Sequence, residues 1–250
     1  DMKKIKKLSE IYGFHIIEDA SHALGGKFEG TPVGSCKYSS ICVFSCHPVK
    51  IITSGEGGIA TTNDSKLYET MEELRSHGIT KRRGKLLKDD PEPWFYEQQK
   101  LGFNFRITDI QSALGLSQLK RLDLIVKERN RLFLIYQNLL KELPLKMLDI
   151  PANVTSSIHL AIVSLKIYNP KIHREIFEEL QKKGIGVQVH YIPVHLHPYY
   201  RNLGFKEGDF PNAERYSKNC FSIPLFPGLT EDEQNYVVEQ IKNTIKYLQD

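Results

Sequence analysis

The sequence has little of what staples or anchors a chain. It holds four cysteines and one tryptophan in 250 residues. Cys36, Cys42, Cys46 and Cys220 form no C-x-x-C pair, which argues against a zinc knuckle and against a disulfide framework. Reduced thiols and a cytoplasmic location are the expectation. No apolar run approaches the ~20 residues needed to cross a bilayer. The opening residues also lack the charged-then-apolar pattern of a signal peptide. Charge of one sign is scarce too: the net charge is +4, spread along the chain, and Lys3, Lys4, Lys6 and Lys7 read as the solvated face of a short helix. Neither a nucleic-acid partner nor a membrane is therefore expected. The rest, 40% hydrophobic and 26% charged, is an ordinary globular mixture long enough for one or two domains.

Periodicity suggests an α/β layout. Asp1 caps an amphipathic helix carrying Ile5, Leu8 and Ile11. Residues 14–17 read as a short buried strand ending in Glu18-Asp19-Ala20-Ser21-His22. A second strand, 41–45, leads into Cys46-His47-Pro48-Val49-Lys50, and a Gly-rich turn at 54–58 precedes a third strand at 59–62. Polar residues at the carboxyl ends of strands lie where open α/β sheets bind ligands. Asn63 or Asp64 caps a helix to His77, residues 81–99 read as a mobile polar loop, and Thr108 caps helical periodicity running to about Leu143. So long a pattern predicts a kink and marks the boundary between a domain at 1–125 and one at 126–250. The second domain reads as a small α+β unit: strand 158–168, helix 171–183, strand 187–191 and helix 231–248. Three strands make a thin sheet for the first domain, so the sequence is expected to be the C-terminal portion of a longer chain.

Three residues at strand ends carry the chemistry. A lysine amine aimed into a cleft by a proline bend forms Schiff bases with aldehydes, which suits Lys50. A carboxylate such as Asp19, beside a pyridine nitrogen, keeps that nitrogen protonated and makes the ring an electron sink. His22 could lie flat against such a ring, and the Ser45 hydroxyl could donate to a phosphate. Each also has a plainer reading: a surface amine for Lys50, a turn cap for Asp19, a hydroxyl bonding its own backbone for Ser45. The histidines at 190, 195 and 197 do not match a helix-borne zinc spacing, so no metal is expected.

Several segments together resemble the DegT/StrS-type sugar-nucleotide aminotransferases, which are pyridoxal-phosphate (PLP) enzymes of fold-type I. Phe44 to Lys50 followed by Gly55-Glu56-Gly57-Gly58 is similar to that family's Schiff-base lysine motif, and Glu18 to Gly25 to its pyridinium-partner motif. Gly102-Phe103-Asn104-Phe105-Arg106 with Thr108-Asp109-Ile110-Gln111, and the stretch 221–230, match two further segments. The stretches 29–39 and 204–214 look closest to the branch of UDP-4-amino-4,6-dideoxy-N-acetyl-altrosamine transaminases of pseudaminic acid biosynthesis. The resemblance implies the aspartate-aminotransferase-like fold: the C-terminal part of the large domain plus a small α+β domain. It implies Lys50 as the Schiff-base lysine, Asp19 as pyridinium partner, His22 stacked on the ring, Ser45 on the phosphate, and Asn104 reaching the phosphate of the neighbouring subunit in a homodimer. Tyr191 and His195 are then expected to line the sugar-nucleotide pocket. The implied reaction moves an amino group, with glutamate as donor, to the C4 keto group of a 4-keto-6-deoxy UDP-N-acetylhexosamine. Lys50 argues against the family's dehydratase branch, whose pattern has histidine there. The family's N-terminal part is not matched, so a non-catalytic remnant or dimerisation module is the alternative.

Overall fold

The computed structural model describes residues 1–247. The chain divides into two compact units, Asp1–Asp123 with Asn153–Ser157, and Leu124–Ala152 with the residues from Ile158 onward. A short segment from beyond residue 125 thus belongs with the first unit.

In the first unit, α1 (Met2–Tyr12) is capped by Asp1, whose side chain accepts from the Lys4 amide at 3.1 Å, and it closes on Gly13 in the left-handed region. Then come β1 (Ile17–Asp19), β2 (Lys27–Phe28), β3 (Thr31–Pro32), β4 (Ile41–Ser45) and β5 (Gly58–Thr61). β1 pairs in parallel with β4, and β5 pairs antiparallel with β4 on its other side. Cys42 and Phe44 of β4 are buried with Ala20 and Cys36, the period-two pattern of a strand with one covered face. The first strand lies later than the apolar density of 14–17 predicts. Pairing from Ile17–Ile41 to Asp19–Val43 sets its position, and Phe14 stays exposed.

Asp64 caps α2 (Ser65–Arg75) by accepting from the Lys66 and Leu67 amides at 2.7 and 3.1 Å. β6 (Ile79–Thr80) and β7 (Glu97–Gln98) pair antiparallel and close the stretch read as a mobile loop. That stretch is also tied to one face of α2. Lys85 meets Glu69 at 2.5 Å and Glu73 at 3.2 Å, Lys100 meets Glu73 at 2.8 Å, and Arg82 meets Glu69 at 2.9 Å and also Glu72. Helical spacing of the three acids puts them on one stripe facing the basic residues. Behind this network two backbones touch. Gly78 has φ +70°, and a Cβ there would stand 1.9 Å from the Lys100 carbonyl oxygen; one at Gly102 would stand 2.2 Å from the Gly78 nitrogen.

α3 (Asp109–Leu119) opens on a Thr108–Gln111 capping box, and α4 (Leu122–Leu139) starts after a break at Lys120 and Arg121, where the long helical pattern predicts a kink. Ile110 and Leu116 of α3 are exposed, and the neighbouring rings of Phe103 and Phe105 stack at 4.6 Å between centroids.

The remaining elements are β8 (Leu145–Met147), β9 (Val154–Thr155), β10 (Ala161–Leu165), α5 (Pro170–Lys182), α6 (Pro198–Arg201), α7 (Pro211–Ser217), β11 (Cys220–Ile223) and α8 (Glu231–Tyr247). β9 pairs with β2 in the first unit. In the second unit β11, β10 and β8 form an antiparallel sheet, and Tyr136, Ile176, Leu180, Phe221 and Ile241 share its core with Val163. The expected strand at 187–191 reduces to one bridge, Gln188 with Ser222, on the edge of β11 opposite β10. Position 248, included in the predicted last helix, lies outside the described residues.

A buried, hydrogen-bonded His–Glu pair organises the loops of this unit. Glu214, in α7, accepts from the Gly208 amide and from His195 Nε2, each at 2.8 Å. These bonds, His195 first, hold its carboxyl below the ordinary glutamate value of 4.5.

Two outcomes follow for stability. Gly78→Ala forces a side chain into backbone at a positive φ and is expected to cost about 2 kcal/mol or more, read as a lowered thermal midpoint. Gly84→Ala, with nothing within 4 Å and no positive φ, should leave the midpoint in place. The contribution of Glu214 is fully present above its unfolded value of 4.5 and is lost as pH falls through the lower folded value. Glu214→Gln should therefore flatten the acid limb of stability plotted against pH. An acid limb identical to that of the wild type would show that the pair carries none of it.

Candidate active site

Parallel pairing brings the carboxyl ends of β1 and β4 side by side, with Asp19 the last residue of one and Ser45 the last of the other. Ser21 donates to Asp19 Oδ1 twice, through its hydroxyl at 2.5 Å and its amide at 3.1 Å. Those bonds, with the charges of His22 and Lys50 behind them, hold the Asp19 carboxyl below the usual aspartate range. Among the described residues Oδ2 accepts no hydrogen bond. One oxygen is thus fixed, and the other is available.

Past β4 the chain bends back on itself. The Lys50 amide donates to the His47 carbonyl at 3.0 Å, and the Ser54 amide to the Cys46 carbonyl at 3.0 Å. Cys46, Ile51, Ile52 and Ser54 are buried, so the half-buried Lys50 sits in a bend anchored on both sides. Gly57 permits the turn's close approach: a Cβ there would fall 2.5 Å from Ser54 Oγ. Ser45 Oγ accepts from the His47 amide at 3.3 Å and keeps its own hydrogen to donate. His22 rides on a turn whose backbone is fixed twice: the Ala23 amide donates to Ala20 at 2.8 Å, and Ser157 Oγ donates to the His22 carbonyl at 2.9 Å.

Four of the predicted site residues, Asp19, His22, Ser45 and Lys50, therefore lie at or just past the carboxyl ends of two adjacent strands. Asn104 stands apart, exposed on the strap before α3 with Oδ1 engaged by Arg106. Tyr191 and His195 belong to the second unit, where Tyr191 is exposed and His195 is buried against Glu214. Sequence reasoning passed over Ser21 and Ser54. The Asp-x-Ser spacing was the available signal for the first, since a hydroxyl two residues beyond an aspartate commonly bonds its carboxylate. Ser54 gave none, because nothing local marks a serine as buried.

The donor set fits PLP. It holds an amine for the aldehyde, an ionised carboxylate with a free oxygen for the ring nitrogen, and a hydroxyl with a spare hydrogen for the phosphate. Among the described residues no group of three His, Cys, Asp or Glu side chains could hold a metal ion, and no helix is long and apolar enough to cross a membrane.

Known proteins share this chain's sequence pattern and fold. The UDP-4-amino-4,6-dideoxy-N-acetyl-beta-L-altrosamine transaminase of Campylobacter jejuni serotype O:23/36 is 35% identical over 244 residues, covering 96% of this chain and 61% of the relative. The solved structure of Helicobacter pylori PseC, an aminotransferase involved in the biosynthesis of pseudoaminic acid, superposes with a TM-score of 0.88 at 32% identity, over 99% of this chain and 64% of that one. A PLP-form structure of the putative sugar aminotransferase Spr1654 from Streptococcus pneumoniae gives 0.85 at 29% identity, over 98% and 63%. The chain thus spans less than two thirds of the length of these relatives. Its fold is that of the fold-type I PLP aminotransferases, as the sequence predicts. The sequence pattern of one family matches residues 1–242, and the chain belongs to that family, the DegT/DnrJ/EryC1/StrS aminotransferases.

Proposed function

We propose that this chain carries the lysine side of a PLP-dependent sugar-nucleotide aminotransferase. The observation that supports it most is that parallel strands set the Asp19 carboxylate at the edge to which the bend past β4 returns Lys50, close enough for the amine's charge to lower the Asp19 carboxyl. PLP, when bound, supplies a pyridinium ring that draws off the electron pair left at the substrate carbon. Lys50 Nζ would hold the aldehyde carbon of the cofactor, and as a free amine it would take the proton from the donor carbon and supply one on the acceptor side. Asp19 Oδ2 would keep the proton on the ring nitrogen, and the two bonds from Ser21 favour the ionised carboxyl this needs. His22 would cover a face of the ring, and the Ser45 hydroxyl would donate to the phosphate.

In the finer reading the acceptor is the C4 keto group of a 4-keto-6-deoxy UDP-N-acetylhexosamine, the donor is glutamate, the product enters pseudaminic acid biosynthesis, and the enzyme works in the cytoplasm. Tyr191 belongs to the sugar-nucleotide contacts. His195 is assigned to holding their loop, given its bond to Glu214. The site is shared in a homodimer, with 102–108 reaching the partner's cofactor; the exposed Phe103, Phe105 and Ile110 around Asn104 support that face as a covered one.

Adding PLP to the protein should produce an absorbance band at about 400 nm that Lys50→Ala lacks. A band unchanged in the mutant would remove Lys50 from the reaction. A chain that takes up no PLP at all would favour a non-catalytic module instead.

Asn104→Ala and Lys50→Ala, mixed in full-length protein under conditions of subunit exchange, should regain activity. A mixed dimer then holds one site with both defects and one with neither. Exchange without recovery would place Asn104 in its own subunit's site.

A further inference from the structure

Arg106 Nε donates to Asn104 Oδ1 at 2.6 Å. A guanidinium offers only donors, whereas a carboxamide has one accepting end and one donating end. The contact therefore settles which end of Asn104 faces which way: the oxygen is turned to Arg106 and the NH2 group is left outward. Both side chains are exposed, and among the described residues no carboxylate pairs with Arg106 and nothing accepts from the Asn104 NH2 group.

The backbone beneath them is fixed. Asn104 bridges Ser76, the Phe103 amide donates to the Leu74 carbonyl at 2.7 Å, and the Phe105 amide donates to the Arg75 carbonyl at 2.9 Å. The Gly78–Gly102 contact holds the strap from behind. An oriented pair of N–H donors and an unneutralised cation thus stand two residues apart on a set backbone. That arrangement suits an oxyanion and disfavours a neutral or cationic ligand.

We propose that Arg106 is a positioning residue: it orients the Asn104 carboxamide so that its NH2 group, and not its oxygen, meets the phosphate of PLP in the site of a second copy of this chain. The inference rests on the shared-site reading given under Proposed function. Without Arg106 the amide is free to turn, and one of its two orientations sets a carbonyl oxygen against a phosphate carrying close to two negative charges.

The test compares binding of PLP with binding of pyridoxal, which lacks the phosphate, by absorbance titration of the full-length protein and of Arg106→Ala, Arg106→Lys, Asn104→Ala and the double alanine variant. Arg106→Ala is expected to weaken PLP binding about tenfold while leaving pyridoxal binding and the thermal midpoint unchanged. Arg106→Lys should recover part of that loss, since an ammonium group also only donates. The double variant should bind PLP no more weakly than Asn104→Ala alone. A further loss of similar size in the double variant would mean that Arg106 meets the phosphate itself, and the positioning role would be lost. Unchanged PLP binding in Arg106→Ala, or an equal loss for pyridoxal, would overturn it as well. A wild-type protein that takes up no PLP would overturn the cofactor reading and this inference with it.

Discussion

Three ladder pairs between β1 and β4, from Ile17 with Ile41 to Asp19 with Val43, decide where the chemistry of this chain lies. Parallel pairing puts both carboxyl ends at one edge of the sheet, so Lys50, 31 positions further along the sequence, adds to the interactions that hold the Asp19 carboxyl below the usual range. A slip of one residue would turn every side chain of β1 to the opposite face. What resists the slip is the small core of Ala20, Cys36, Cys42 and Phe44, packed directly behind the strand ends. The bend that returns Lys50 is held in the same way, by buried Ile51, Ile52 and Ser54.

Much of this was readable beforehand. Helix caps at Asp1, Asp64 and Thr108 are local signals, since each side chain bonds an amide two or three residues on; Asp1 and Thr108 were read directly, and Asp64 as one of two candidates with Asn63. Strand positions were legible only in part. The apolar run 41–45 fell where it was read, whereas the run 14–17 did not, because pairing with β4 set β1 at Ile17–Asp19. β11 is buried at all four positions, so periodicity gave nothing to read there. Ion pairs such as those of Lys85 with Glu69 and Glu73 join segments that sequence distance hides, which is why residues 81–99 looked like a free loop.

The two parts of the site also differ in how they are supported. Asp19, Ser45 and Lys50 are positioned by buried neighbours, so their geometry is a property of packing. Asn104 and Arg106 stand on an exposed strap whose order comes from backbone-to-backbone contacts and glycine clearance, with Ile110 beside them 84% exposed. Motif matching treats both sets alike, but the forces that hold them are different. Substitutions under the first set act through cavity and strain, whereas those around the second act through what the strap presents to a partner.

The network joining α2 to residues 82–100 is built from charges open to solvent, with Lys85 and Glu69 each about one third accessible. Such pairs contribute at most about 1 kcal/mol each, and they weaken as the screening length contracts toward ~3 Å in molar salt. The hairpin ladder of β6 and β7 is only two residues long on each side and gives little support without them. The order of this long excursion is therefore set by the medium as well as by the sequence. In dilute buffer the charges hold it against α2; in concentrated salt that hold weakens, and its lysines and arginines become more open to trypsin.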